Sequence, residues 1–466
     1  MENAQKRKFG LLTAISMIVG IVVGSGIFFK TDNILSAVNG SVFLGVMAWI
    51  LGGIGIVFGT LSIATLAKRD ENVGGLITYC EMTWGKNLGY LAGWFQTVFY
   101  YPILVAVLAW VASLYLSMLL GWTNPQTLFG VSLSFLPDWA FPFSVNEWVL
   151  SLLMIAFFFV LNSFKTIWAG KFQSISMIIK VSALILLAFF GLTKGHATQV
   201  IHMSDASLLG GGFFAALVPI AFAYDGWQVA PSIAHEIKNP KRNLPLALTI
   251  SPLIIMLIYV AYFVGINAVL GPDQILELGD GAVSVFAQLI FGDIGYTLVL
   301  LAVTISISGT LNGLILAYIR LPYALALREE LPMSSVLSKV DPKTDIPYAS
   351  ALLAIVVSLF WLIIHFGTTT GVIYLNWSLL SGISIDEISI MLMYIFLVAI
   401  FVGIINDFRK KMIVSYLEGI FYPLMAVIGA VAALYGAFLN PKVALYLILS
   451  VLVILLGLVI RPKKKV

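Results

Sequence analysis

Two stretches of this chain place residue types where their surroundings disfavour them: one could hold a carboxylate, and the other sets an acidic side chain at membrane depth. The first is Gly24-Ser25-Gly26, inside the otherwise apolar run Ile18–Phe28. Two glycines flanking a serine lower the cost of unwinding one helical turn. Unwinding exposes backbone N–H groups at the start of the outer half-helix, the positive end of its dipole, and such a cradle suits a carboxylate. Close helix packing through Gly20-x-x-x-Gly24 explains the same residues, so the motif alone leaves both readings open. The second stretch is Phe222-Ala223-Tyr224-Asp225-Gly226-Trp227. An acidic residue at membrane depth costs about 2.5–3.5 kcal/mol and usually faces a cavity or a partner. Asp225-Gly226 is also turn-prone, so the helix is expected to break there, whether Asp225 meets a ligand or only caps the second half-helix.

Other polar residues read less sharply. Lys180 lies about nine residues into Phe172–Val181, roughly 13 Å along a helix, where a lysine either snorkels to the cytoplasmic face or serves the site. Arg320 marks the cytoplasmic end of a helix. Glu236 with Lys238 and Arg242 reads as an inner-loop charge network, and Asn312-Gly313 lines a pocket or packs helices. Asp386 and Glu387 open a helix at the outer face and read as solvated. The eleven tryptophans, Trp94 and Trp148 among them, read as interfacial anchors. His196, His202, His235 and His365 are scattered and form no metal pattern. The single cysteine, Cys80, permits no intrachain disulfide and no thiolate metal site. No nucleophile–base set, carboxylate pair or histidine cluster is present at membrane depth, so an intramembrane enzyme is not expected, nor is any cofactor or metal.

The elements that must position these residues follow from composition. Of 466 residues, 60% are hydrophobic and 10% charged, against roughly 25% charged in a soluble domain. That surplus of apolar surface requires a polytopic membrane protein. The net charge of +4 is small and its cations lie in short loops, which excludes a nucleic-acid partner. A bilayer core of about 30 Å takes roughly 20 apolar residues per helix. Twelve runs meet that length, near 9–29, 42–67, 87–119, 147–163, 172–192, 211–234, 247–270, 295–327, 347–366, 385–405, 415–438 and 443–460. The first is long and lacks a small-residue cleavage site, so it reads as a retained helix rather than a signal peptide. With both termini cytoplasmic, twenty-two Lys and Arg fall on the inner side. Only Lys30, Lys194 and Lys442 fall on the outer side, which is the bias expected of such a topology. Gly367–Ser384 is partly apolar, too short to cross, and is not assigned.

Two interrupted spans in corresponding positions, the first and the sixth, point to an inverted-repeat transporter with its site near the midplane. The expected fold is therefore an all-α integral membrane domain over 1–466. Residues 9–192 would form one five-helix repeat, 211–405 the other, and 415–461 two accessory helices.

The residues that carry a resemblance run from Lys8 to Lys343. They are Val19-Gly20 through Gly24-Ser25-Gly26-Ile27-Phe28, Gly74-Gly75-Leu76-Ile77-Thr78-Tyr79, and Gly93-Trp94-Phe95-Gln96 with Tyr100 and Pro102. Most specific is Phe222–Trp227 leading to Glu236-Ile237-Lys238-Asn239-Pro240 and Leu244-Pro245, followed by Asn312-Gly313, Arg320 and Arg328-Glu329-Glu330-Leu331-Pro332. In their order and spacing the chain resembles the amino acid–polyamine–organocation superfamily, and within it bacterial relatives of the L-type amino acid transporters, of the serine/threonine or alanine-serine-cysteine exchanger kind. The resemblance implies an α-amino acid bound between the unwound segments. Its carboxylate would meet the N–H groups of Ser25 and Gly26, beside Gly24. Its ammonium would meet the carbonyls of Val22, Phe222 and Asp225, next to Ala223, with Phe222 as an aromatic lid. The resemblance also implies that Lys180 stands where other members hold a sodium ion, and that Phe222, Asn312 and Glu236 take part in conformational coupling.

The resemblance implies sodium-independent exchange of small neutral L-amino acids across a bacterial cytoplasmic membrane. A proton-coupled symporter or uniporter, including one for cationic amino acids or polyamines, is the alternative, because Asp225 replaces the small residue of some relatives. The loop Gly121–Glu147 holds no cysteine, so no disulfide-linked heavy subunit is expected, and the protein would act as a monomer or homo-oligomer in the lipid bilayer.

Overall fold

The computed structural model describes residues 10–24, 26–69, 75–124, 127–132, 144–164, 166–196, 198, 210–228, 237–342, 344, 346–370 and 384–462. They form α1 (Leu11–Val22), α2 (Gly26–Phe29), α3 (Thr31–Ala37), α4 (Val42–Ala67), α5 (Gly75–Trp84), α6 (Lys86–Phe95), α7 (Tyr101–Leu120), α8 (Val145–Phe164) and α9 (Thr166–Lys194). There follow α10 (Gly211–Ala223), α11 (Pro240–Leu270), α12 (Pro272–Leu278), α13 (Ala282–Tyr318), α14 (Arg320–Leu327), α15 (Ser334–Leu337), α16 (Tyr348–Thr370), α17 (Ile385–Arg409), α18 (Tyr422–Phe438) and α19 (Val443–Ile460). A two-residue ribbon, β1 (Thr127–Leu128) with β2 (Val131–Ser132), sits between α7 and α8. The side chain of Asn146 pins it, accepting from the Phe129 N–H and donating to the carbonyls of Trp122 and Thr127.

Among the described residues ten helices are long and apolar enough to cross a membrane, with two shorter apolar ones at Leu11–Gly20 and Gly211–Ala223. The short pair belongs to the first and sixth apolar runs, the two expected to be interrupted. Of the unassigned stretch, residues 367–370 complete α16, while 371–383 lie outside the described residues.

The chain forms two compact units. One comprises Met1–Ala92, Val181–Ile290 and Ile390–Ala444, and the other Gly93–Lys180, Phe291–Ser389 and Leu445–Val466. In the first unit α4 is the hub, and its glycines are sockets for its neighbours. A Cβ built on Gly45 would lie 2.6 Å from the Phe263 ring, one on Gly52 2.7 Å from Ile220, one on Gly53 2.7 Å from Met256, and one on Gly59 2.7 Å from Trp227. Small residues thus let large ones seat against the backbone, which supplies the packing that lipid-embedded helices need. The Thr60 hydroxyl adds a hydrogen bond to the Leu248 carbonyl at 2.8 Å. At one end of α4, Arg69 pairs with Asp407 and Lys68 with Glu418.

In the second unit a π turn, Gln96–Tyr100, separates α6 from α7. A π turn displaces carbonyls from the helical ladder, and two side chains take them up: the Tyr318 hydroxyl donates to Thr97 at 2.6 Å and the Trp361 indole to Val98 at 2.7 Å. Trp94 and Trp148 correct the expectation of interfacial anchors. Both are buried. The Trp94 indole donates to the Val453 carbonyl and fits against Gly457, and Trp148 stacks with Trp110. These rings pack helices instead of meeting headgroups. Asp386 is a second correction, since it is 4% exposed at the head of α17 and not solvated.

Candidate functional site

The first break begins where α1 ends. Val23 still donates its N–H to the Val19 carbonyl at 2.8 Å, but its ψ of 98° has left the helix. Helix resumes at Gly26, and the Lys30 N–H reaches the Gly26 carbonyl while the Ile34 N–H reaches that of Lys30. The turn beginning at Gly26 therefore directs N–H groups without intrahelical acceptors back into the break. Ser25 lies outside the described residues.

The second break follows α10, which carries Pro219 four residues before its end. Proline removes a helical donor and loosens the preceding turn. Beyond Ala223 the chain tightens, the Asp225 N–H bonding to the Phe222 carbonyl at 3.0 Å, and Gly226 takes φ 100°, which glycine alone adopts readily. The Gln228 side chain closes the turn, donating to Asp225 Oδ1 and accepting from the Gly226 N–H, both at 3.1 Å. Asp225 is thus engaged within its own turn.

The two breaks meet in the first unit. A Cβ on Gly26 would lie 2.5 Å from the Ala223 Cα and 3.1 Å from the Phe222 ring, so hydrogen is the only side chain that fits. Tyr259 of α11 joins them from one side, its hydroxyl 3.2 Å from the Ala223 carbonyl and 3.4 Å from that of Val22. One proton serves two acceptors, one on each broken helix. Behind this hydroxyl stands a fully buried aromatic cluster. The Trp49 ring meets Tyr224, Tyr259 and Phe263 edge-on, and the Tyr224 hydroxyl donates to the Trp49 carbonyl. Above the junction Phe222 is 6% exposed and meets Phe29 edge-on at 5.5 Å.

This geometry brings opposite ends of helix dipoles together: the carbonyl ends of α1 and α10 carry partial negative charge and the start of α2 partial positive charge. Val22, Gly26, Phe222 and Ala223 are brought together in this unit; Gly24 and Asp225 belong to the same unit, whereas Glu236, like Ser25, lies outside the described residues.

Two expected residues belong to the second unit. Lys180 in α9 is 1% exposed, which rules out the snorkelling reading, because a snorkelling ammonium reaches the surface. Asn312 is fully buried in a knot of amides. It accepts from Asn162 at 2.9 Å and donates to the Ala169 carbonyl and to Gln173 Oε1, each at 3.1 Å. That settles its local role as a clamp between α8, α9 and α13. Arg320 is exposed and donates to the Leu316 carbonyl of the preceding turn. Among the described residues no group of three or more His, Cys, Asp or Glu is placed to hold a metal.

Sequence reasoning missed two residues here. Tyr259 gave no signal, since a tyrosine in an apolar run is ordinary. Lys30 was assigned to an outer loop, yet it is 5% exposed, with its ammonium 5.1 Å from the centroid of Phe222 and 5.3 Å from that of Phe29. Its spacing of four from Gly26 was the available clue.

Comparison with known proteins shows the family of the chain. The family described as amino acid permease matches residues 9–460. The serine/threonine exchanger SteT of Bacillus subtilis (strain 168) is 30% identical over 463 residues, 98% of this chain and 96% of that protein. The human cystine/glutamate transporter is 27% identical over 354 residues, 73% of this chain and 65% of its own length. The human Asc-type amino acid transporter 1 is 28% identical over 356 residues, 74% and 64% respectively.

Proposed function

The chain belongs to the amino acid permease family, and from that premise we propose that it is a sodium-independent transporter exchanging small neutral L-amino acids by alternating access. The observation that carries the reading is the main-chain junction of the two broken helices, bracketed by Tyr259. The amino acid carboxylate takes the N–H groups at Ser25 and Gly26. The ammonium takes the carbonyls of Val22, Phe222 and Asp225. Binding bridges the two segments, stabilises an occluded state and so lowers the barrier to reorientation. The names of relatives, a serine/threonine exchanger first, support small polar substrates. Lys180, buried in α9, stands in place of a coupled sodium ion. Phe222, Asn312 and Glu236 couple binding to movement.

The ten long helices and two short ones form twelve spans, with 9–192 and 211–405 as inverted repeats and 415–461 as accessory helices. Both termini lie in the cytoplasm of a bacterial cell, and the protein works as a monomer or homo-oligomer without a disulfide-linked heavy subunit. The engagement of Asp225 by Gln228 favours this reading over one in which a free carboxylate recruits cationic substrates.

The test is uptake of labelled serine into proteoliposomes in sodium-free buffer, with and without unlabelled serine inside. Strong acceleration by internal serine is expected. Uptake indifferent to internal serine, and driven by a sodium or proton gradient, overturns exchange.

A further inference from the structure

In the first unit α17 ends in Arg409-Lys410-Lys411, and the turn that follows is held in place by contacts that do not involve these charges. Backbone alone caps the last carbonyls of α17: the Lys410 N–H reaches Asn406, the Lys411 N–H Phe408 and the Met412 N–H Asp407, at 3.0, 2.9 and 2.9 Å. This helix ending needs one residue in the left-handed region, a place that glycine fills without steric penalty. Here it is Lys411, with φ 61°. Behind the turn Phe408 seats on Gly419, where a Cβ would lie 2.5 Å from its ring, and meets Tyr416 edge-on, while Ile413 is buried. A lysine thus holds a glycine position at a helix end whose carbonyls need no cation. Arg409, Lys410 and Lys411 are all exposed, and among the described residues their side chains hold no hydrogen bond or ion pair. The two carboxylates of this stretch are already taken, Asp407 by Arg69 and Glu418 by Lys68, both from the end of α4. Beside the three unpaired cations the same turn leaves Val414 91% and Tyr416 64% exposed. Water suits the charges but not these side chains, and hydrocarbon the reverse. The headgroup layer of a bilayer suits both.

We propose that this turn is a docking surface for an anionic phospholipid, with the phosphodiester on Arg409, Lys410 and Lys411 and the base of the acyl chains against Val414 and Tyr416. Charge complementarity selects the lipid. A zwitterionic headgroup brings its own ammonium against three cations, whereas an uncharged glycerol headgroup leaves the phosphate free to meet them. Each basic side chain near an anionic lipid surface strengthens binding roughly fivefold. A soluble phosphate lacks the chains that the apolar flank requires, so the surface is committed to a lipid. The bound lipid would brace the end of α17, which α4 already grips through Arg69 and Asp407, and so stabilise the folded chain. The inference needs no particular substrate and stands apart from the transport reading.

The experiment is a thermal melt of the full chain in detergent, with added phosphatidylglycerol, phosphatidylcholine of the same acyl chains, or glycerol phosphate. Phosphatidylglycerol should raise the melting temperature several degrees above phosphatidylcholine, and glycerol phosphate should not. The triple variant Arg409→Gln, Lys410→Gln, Lys411→Gln should lose most of that difference. A matched variant, Lys86→Gln, Arg320→Gln, Lys339→Gln, removes three exposed cations elsewhere and should keep it. Lys411→Gly separates lipid from fold, because its two effects have opposite signs. Relief of the left-handed backbone should raise the melting temperature without lipid, while loss of the cation should shrink the response to phosphatidylglycerol. No advantage of phosphatidylglycerol in the wild-type protein overturns the proposal, as does an equal advantage in the triple variant. An equal loss in the matched variant also overturns it, by reducing the effect to a diffuse field. So does a response to glycerol phosphate as large as that to the lipid. Should the triple variant fail to fold, an undiminished lipid response in Lys411→Gly is decisive against the proposal.

Discussion

At the scale of single residues, the junction depends on atoms that most side chains would spoil. Tyr259 spends one hydroxyl proton on two carbonyls, Val22 and Ala223, that belong to different broken helices. Replacing it by phenylalanine keeps the ring among Trp49, Tyr224 and Phe263 and removes only the bridge. A hydrogen bond of this kind is worth about 1 kcal/mol net, so Tyr259→Phe should slow exchange roughly fivefold with little change in thermal stability. Uptake assays beside a thermal melt in detergent check this, and a variant as fast as wild type would deny the bracket a role. The backbone features at this scale were legible. Glycine pairs and an acidic residue in apolar runs violate expectation, and a violation is visible without a fold. Tyr259 and Lys30 were not, because their chemistry lies in what they touch across more than two hundred residues or above a ring.

Helical elements were legible in outline from apolar run length, and α4, α8, α11 and α17 end within a few residues of the expected limits at one end or both. What run length could not supply is the interior detail: the π turn at Gln96–Tyr100, or the kink in α13 where Gly292 takes φ 69° and ψ −168°. Both arise from local backbone choices that leave hydropathy unchanged. The polar clamp at Asn312 was half-visible, an amide in an apolar helix, with its partners hidden until α8 and α9 were placed. Removing it takes a hydrogen bond from buried Asn162 and another from half-buried Gln173. Asn312→Ala should therefore cost about 1–3 kcal/mol and lower the melting temperature in detergent by several degrees. Asn312→Gln tests the geometry, since the longer amide cannot satisfy all three partners in place. A melting temperature unchanged in the alanine variant would show the knot to be dispensable.

For the whole molecule, the charge distribution makes an orientation claim that is open to direct test. The single cysteine, Cys80, is buried with 0% exposure, so an impermeant maleimide should leave the unmodified protein in intact cells unlabelled. On that silent background Glu277→Cys, in exposed α12, should label from outside, and Lys410→Cys, exposed after α17, only after the membrane is opened. The reverse pattern would invert the topology proposed above. Charge counting reads this scale well because loops report their side of the membrane by composition. It says nothing of how segments distant in sequence group into compact units, which depends on sockets such as Gly52 and Gly59.

The contact between Gly26 and Ala223 is main chain against main chain, and that has a genetic consequence. Mutation rewrites side chains and leaves amides and carbonyls in place. A recognition surface made of backbone cannot lose its donors one codon at a time; it can only be distorted or kept. On the function proposed above, descendants of such a chain can trade one side-chain preference for another by altering the walls around the junction, while the demand for an α-amino acid changes only through substitutions that distort the backbone, as any side chain at Gly26 would.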